Sequence, residues 1–226
     1  MNKFLRILFG LVAIAVIAFF LTGVPVAQAD EIVCPGSLGA VTVDDVRVPV
    51  NATCTLNGTR VEGTVKVEQN ATLYANGARI DGNVQAEGAA RVNVGANSTV
   101  GGSIQIVQGG AAVIDNVAVN GDIQFESNKQ SLSATNNWVG GNLQAFQNTG
   151  GIHIANNTID DNLQCKANVP PPTGGNNLVE GSAEDQCANL QGTPPTPTPT
   201  PPPPQTPTPP PPPNLPFKTF LSFVTR

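Results

Sequence analysis

The chain is short of most side chains that carry chemistry. Its 226 residues include one His, one Trp, one Tyr and one Met. A single imidazole, His153, cannot build a His-based metal centre, and none of the four cysteines lies within a few residues of another. Lys and Arg number 11 against 16 Asp and Glu, which argues against nucleic acid as a partner. The calcium-binding Gly-Gly-x-Gly-x-Asp nonapeptide is missing, as is the strict hexapeptide period of left-handed β-helices. No Thr-x-Thr column of the kind an ice-binding face needs is present. After residue 29 no apolar run is long enough to span a bilayer.

What the chain has instead is a phrase that returns every 19 or 20 residues. It reads Val61-Glu-Gly-Thr-Val65, Ile80-Asp-Gly-Asn-Val84, Val100-Gly-Gly-Ser-Ile104, Val119-Asn-Gly-Asp-Ile123, Val139-Gly-Gly-Asn-Leu143 and Ile159-Asp-Asp-Asn-Leu163, with a weaker copy at Val179-Glu-Gly-Ser-Ala183. A period this short and regular indicates a repeat architecture. Gly holds the third place in all copies but one, where Asp161 stands, and predicts a left-handed corner there. Short polar residues such as Asn83, Ser103 and Asp122 hold the fourth place and are expected to bond neighbouring backbone groups. Period two follows, as in Val84-Gln85-Ala86, Ile104-Gln105-Ile106 and Ile123-Gln124-Phe125, the signal of a half-buried strand. A second apolar pair comes later in each coil: Leu73 and Ala75, Val92 and Val94, Ala111 and Val113, Leu132 and Ala134, Ile152 and Ile154.

Strand, turn, strand, turn in so few residues leaves no room for a crossover helix, so strands must stack on their equivalents one coil away. The fold class is therefore all-β: a single-chain parallel β-helix, a solenoid expected to be right-handed, of about seven coils spaced about 4.8 Å apart. Val61, Ile80, Val100, Val119, Val139 and Ile159 should form one internal column. An antiparallel sandwich also has short strands but predicts no constant period in phase.

Residues 1–29 read as a secretory signal peptide: Lys3 and Arg6, the apolar run Ile7 to Leu21, and Ala27-Gln28-Ala29 before Asp30. Its loss lowers the basic count from 11 to 9 against 16 acids, leaving the processed chain near −7. Export makes disulfides the natural state of Cys34, Cys54, Cys165 and Cys187. Of three possible pairings, Cys34–Cys54 and Cys165–Cys187 are favoured, because each pair sits at one end of the array and is separated by about one coil. Residues 30–190 form the β-helix domain, with 30–45 as an N-terminal cap, Val46, Val48 and Val50 carrying the first alternation, and 168–176 a loop replacing a strand. Residues 191–213 are a linker, almost only Pro and Thr from Thr193, expected to be a polyproline spacer of roughly 65 Å. Residues 214–226 turn apolar again, with Phe217, Phe220 and Phe223 as a candidate anchor.

The repeat phrase, with the endings Asn-Leu-Gln-Cys165 and Glu-Asp-Gln-Cys187, resembles a group of secreted repeat proteins of unknown function from actinobacteria and relatives; that resemblance brings no catalytic residues. A looser resemblance is to bactofilins, cytoskeletal β-helices that polymerise end to end. This chain departs from them in its leader, its cysteine-bearing ends and its longer coils. The Pro/Thr run followed by Leu215-Pro216 and aromatics resembles tails of exported proteins of Chloroflexus-like bacteria, which implies a tail that holds the protein at the surface.

Chemistry is hard to place. Asp81, Asp115, Asp122, Asp160 and Asp161 fall mostly at corners and read as turn formers, not as converging carboxylates of a glycan-cleaving site. His153 lies between Ile152 and Ile154, so alternation turns it outward without a nucleophile beside it. Asn51, Asn57, Asn70, Asn97 and Asn156 stand in glycosylation sequons but read as turn asparagines. One outward feature is ordered: Gln85, Gln105, Gln124, Gln144 and Gln164 should stack in a column, with Lys66 in its first row. The column is either an amide ladder along the rod or a face for a glycan or another chain. The expectation is an exported, non-enzymatic structural or adhesive module at the cell surface, needing no cofactor and touching membrane only through its leader. Its partners would be envelope or matrix polysaccharide, or a surface or export component. The alternatives are a glycan-binding or polysaccharide-acting protein and a self-assembling extracellular polymer.

Overall fold

A computed structural model describes residues 30–192. The leader, the Pro/Thr run from Thr193 and the tail with Phe217, Phe220 and Phe223 lie outside the described residues. Within the described range every strand belongs to one of three parallel sheets. The first has nine strands, from Glu31–Val33 and Asp45–Val48 to Ala183–Asp185. The second has eight, from Ser37–Leu38 to Thr173–Gly175. The third has eight two-residue strands, from Thr42–Val43 to Leu178–Val179. The chain visits the three sheets in turn and pairs each strand with its counterparts one coil away. The result is a parallel β-solenoid of about seven regular coils from Asp45 to Val179.

Period two decides which side chains enter. In the first sheet Val65, Val84, Ile104, Ile123, Leu143 and Leu163 form one buried column, and their Lys66 and Gln partners point out. The large ring of Phe125 is buried beside Ile106 on one side and the small Ala145 on the other, so bulk is balanced along the column. The first residues of the repeat phrase form the internal column of the third sheet, as the period required: Val61, Ile80, Val100, Val119, Val139 and Ile159 are in register and at most 1% exposed.

The third sheet itself was not foreseen, because a two-residue strand is too short to display alternation. Five other expectations need correction. The N-terminal segment is not a separate cap but a shortened coil, pairing Ile32 with Val46 and Val43 with Val61. Val50 is half exposed, since the strand ends at Val48. The second-sheet core pair of the fourth regular coil is Ala112 and Ile114, not Ala111 and Val113; Val92 pairs with Ala112, and Val113 faces outward. The loop after Asn168 is shorter than expected, because Thr173–Gly175 still pairs with His153 to Ala155.

The fifth correction concerns the phrase glycine. It does not adopt positive φ at Gly63, Gly82, Gly102, Gly121, Gly141 or Gly181. Left-handed residues occupy the other two corners, for example Gln108, Ser127 and Gln147 before the second sheet, and Asn116, Asn136 and Asn156 before the third. The phrase glycine is needed for close approach. A Cβ at Gly102 would strike Asn83 Oδ1, at Gly121 Ser103 Oγ and at Gly141 Asp122 Oδ1. These are the fourth-place side chains of the preceding coil. They accept from the next coil's N–H: Ser103 N to Asn83 Oδ1 at 2.9 Å, Asp122 N to Ser103 Oγ at 3.0 Å and Asn142 N to Asp122 Oδ1 at 2.7 Å. Where Asp161 replaces glycine, its N–H reaches Gly141 O at 3.3 Å, longer than the 3.0 Å of Gly121 or Gly181 in the same series.

Both ends are stapled. Cys34–Cys54 and Cys165–Cys187 are bonded, with Cα atoms 5.5 and 5.3 Å apart, and each links adjacent coils as expected. Loops of 20 and 22 residues are worth about 3 kcal/mol each in the chain-entropy account.

The steric account of the glycine makes a contrast measurable by urea unfolding. Gly102→Ala and Gly121→Ala should each cost about 1–3 kcal/mol through overpacking. Gly36→Ala and Gly39→Ala, where a Cβ meets nothing within 4 Å, should stay within about 0.5 kcal/mol. Equal effects at all four positions would refute it.

Candidate functional site

The described residues hold two kinds of ordered polar array: one inside the corners, one on the face of the first sheet. Two buried asparagine ladders occupy the left-handed corners. Asn128, Asn148 and Asn168 form one, and Asn137, Asn157 and Asn177 the other; all six are at most 2% exposed. Each Asn spends its amide in the same way. Asn157 Oδ1 accepts from Asn137 N at 3.0 Å and Asn137 Nδ2 at 3.0 Å, while Asn157 Nδ2 donates to Ala134 O at 2.8 Å and Asn177 Oδ1 at 2.9 Å. Gln186 closes the first ladder by accepting from Asn168 N at 2.8 Å. Leu190 O closes the second by accepting from Asn177 Nδ2 at 2.9 Å.

Sequence reasoning missed these ladders. The signal was present: Asn136-Asn137, Asn156-Asn157 and Asn176-Asn177 recur every 20 residues. The first of each pair takes positive φ near 57° and faces out; the second is buried. The sequon residues Asn51, Asn70, Asn97 and Asn156 likewise have positive φ, as turn asparagines should. Asn57 instead ends a strand and accepts from Asn76 Nδ2 at 3.2 Å.

The predicted glutamine column exists in register, running Arg47, Lys66, Gln85, Gln105, Gln124, Gln144, Gln164, Glu184. Its bonding is uneven. Gln144 Nε2 donates to Gln164 Oε1 at 2.8 Å, and Gln164 Nε2 to Glu184 Oε2 at 3.0 Å. Gln124 turns aside to Asp122 Oδ2 at 3.3 Å. No side-chain hydrogen bond joins Gln85 to Gln105 among the described residues. Over that open part lies a shallow groove of about 1060 Å³, bordered by Lys66, Gln85, Glu87, Gln105, Gln108 and Lys129.

The other candidates stay apart. His153 is exposed, with Nδ1 3.3 Å from Thr173 Oγ1. Asp115 accepts from Thr135 Oγ1 at 2.5 Å and Asn136 Nδ2 at 2.9 Å, as a corner residue. Asp81 accepts from Arg79 Nε at 2.9 Å and Arg60 at 3.0 Å, and the Arg79 hydrogen bond, with Arg60 beside it, holds its carboxyl below the usual carboxylate value. What this exposed cluster adds to stability is therefore present above the ordinary Asp range and lost as pH falls through the lowered value. Among the described residues no group of three or more His, Cys, Asp or Glu is placed to hold a metal ion, and no helix is long and apolar enough to cross a membrane. Two bonded cysteine pairs are consistent with an oxidising environment.

Compared with protein-family models, curated proteins and solved structures, the chain matches none. Fold and side-chain geometry carry the functional reading.

The ladders make a quantitative claim. Asn157→Ala should destabilise by about 1–3 kcal/mol per backbone group left without a partner, read as a lower urea midpoint at unchanged slope. Asn156→Gly, at the adjacent left-handed position, should be nearly neutral.

Proposed function

We propose that this chain is an exported, non-enzymatic structural and adhesive module, acting at the cell surface or in the extracellular space and carried on a polyproline spacer. The observation that carries the reading is the uniformity of the rod. The described coils are closed by short corners, the later ones with their polar groups consumed in asparagine ladders, and both ends are stapled by disulfides. Such a body presents repeated side chains on flat faces, which suits multivalent contact better than turnover. The leader pattern of residues 1–29 and the Pro/Thr run support export and display. The groove over Gln85 and Gln105 favours a polysaccharide as the contacted partner.

The test compares cell-bound with released protein for the full chain and for a chain lacking Asn214 to Arg226. The full chain should be retained on the envelope, and the deletion should move it to the medium. A full chain found only free in the medium would sink the adhesive reading. Equal partition of the two chains would remove the tail as the anchor and leave retention to the solenoid.

A further inference from the structure

We infer that the groove on the first sheet is a binding site for an extended polysaccharide strand that carries carboxylates. The inference rests on the adhesive reading and assigns it a site and a ligand class.

The glutamine column divides into two parts. Gln144, Gln164 and Glu184 satisfy one another along the rod. Gln85 and Gln105 make no side-chain hydrogen bond among the described residues, and both border the groove. Their amides are spare donors and acceptors, one per coil, repeating at about 4.8 Å. A ligand with its own similar repeat meets the same group in each coil, and an extended chain of 1,4-linked sugars has such an advance. A peptide strand fits less well. Strand addition needs a free backbone edge, and the strands under the groove, Val65–Val67, Val84–Glu87 and Ile104–Val107, are paired on both sides.

Charge narrows the class. Lys66 and Lys129 border the groove three coils apart, both exposed and with no carboxylate within 4.0 Å among the described residues. Glu68 is already engaged, by Arg47 at 3.6 Å and by Val50 N at 3.1 Å. Two unpaired cations at that separation suit carboxylates spaced along a strand, while the exposed Glu87 can accept from sugar hydroxyls between them. Gly88 borders the groove in the left-handed conformation, at φ 64°.

The experiment is titration of the full-length protein with polygalacturonate oligomers and, separately, with neutral cello-oligosaccharides. The uronate oligomers should bind, more weakly as salt rises, and the neutral ones should bind markedly less. Lys66→Glu combined with Lys129→Glu should weaken uronate binding by roughly tenfold or more, with an unchanged circular dichroism spectrum. Gln164→Ala, in the bonded part of the same column, should bind as the parent does. No uronate binding, equal binding of the neutral oligomers, or an unaffected double variant would overturn the assignment. If the full chain is retained on the envelope but the double variant is retained equally and uronate does not bind, the groove fails and the adhesive reading stands. A full chain that is not retained at all removes both.

Discussion

The described solenoid depends throughout on parallel stacking in register. Each residue has its own counterpart about 4.8 Å above and below, so a side chain must tolerate its own kind at that distance. Aliphatic groups do so by packing, and the internal columns are mostly Val, Ile, Leu and Ala, with Phe125 and the bonded cysteines among them. Charges do not, since like groups directly opposite are destabilising. Where Arg47 and Lys66 are register neighbours, Glu31 and Glu68 both reach Arg47. Amides tolerate themselves best, because each carries a donor and an acceptor. That is why asparagine fills two corners and glutamine one face.

The corners show how strongly this constraint acts. A chain turning between sheets leaves backbone N–H groups that the strand ladder does not serve, and a buried unpaired N–H is costly. Three corners solve the problem with side-chain acceptors, but in opposite senses. At the phrase corner the acceptor belongs to the coil on the N-terminal side, as in Ser103 N to Asn83 Oδ1. At the two asparagine corners it belongs to the coil on the C-terminal side, as in Asn137 N to Asn157 Oδ1. The phrase corner must then admit a neighbour's side chain over its own backbone, for which glycine leaves the most room; where Asp161 stands instead, its N–H to Gly141 O lengthens to 3.3 Å.

The sequence made the solenoid legible because a fixed period is a global signal that local ambiguity cannot hide. The Val61 to Ile159 column, the outward glutamines and the local disulfides were all readable from spacing alone. What was not readable has local physical causes. The phrase glycine looks like a φ > 0 residue because both reasons for glycine, conformation and contact, leave the same letter. Ala111 and Val113 alternate as well as Ala112 and Ile114, and only the register with Val92 and Val94 separates them. The buried asparagines were hidden by the convention that Asn belongs in exposed turns, which holds for Asn136 and fails for Asn137. The groove was not readable at all, since it depends on which members of one glutamine column bond to each other.

The polarity of the ladders also bears on elongation. At the C-terminal end the asparagine ladders do not stop open: Gln186 and Leu190 O take the places a further coil would supply. Gly192 N donates to Asn177 O, Gln191 Nε2 donates to Val179 O at 3.2 Å, and Leu190 is buried with Cys187 among the core residues. A second copy stacking there has to displace this segment, and Cys165–Cys187 ties it to the coil beneath. Removing Leu190 re-exposes apolar surface and the Asn177 amide together, so both hydrophobic burial and hydrogen bonding oppose growth at this end. End-to-end polymerisation through the C-terminal face therefore works against the same two interactions that hold the rod together.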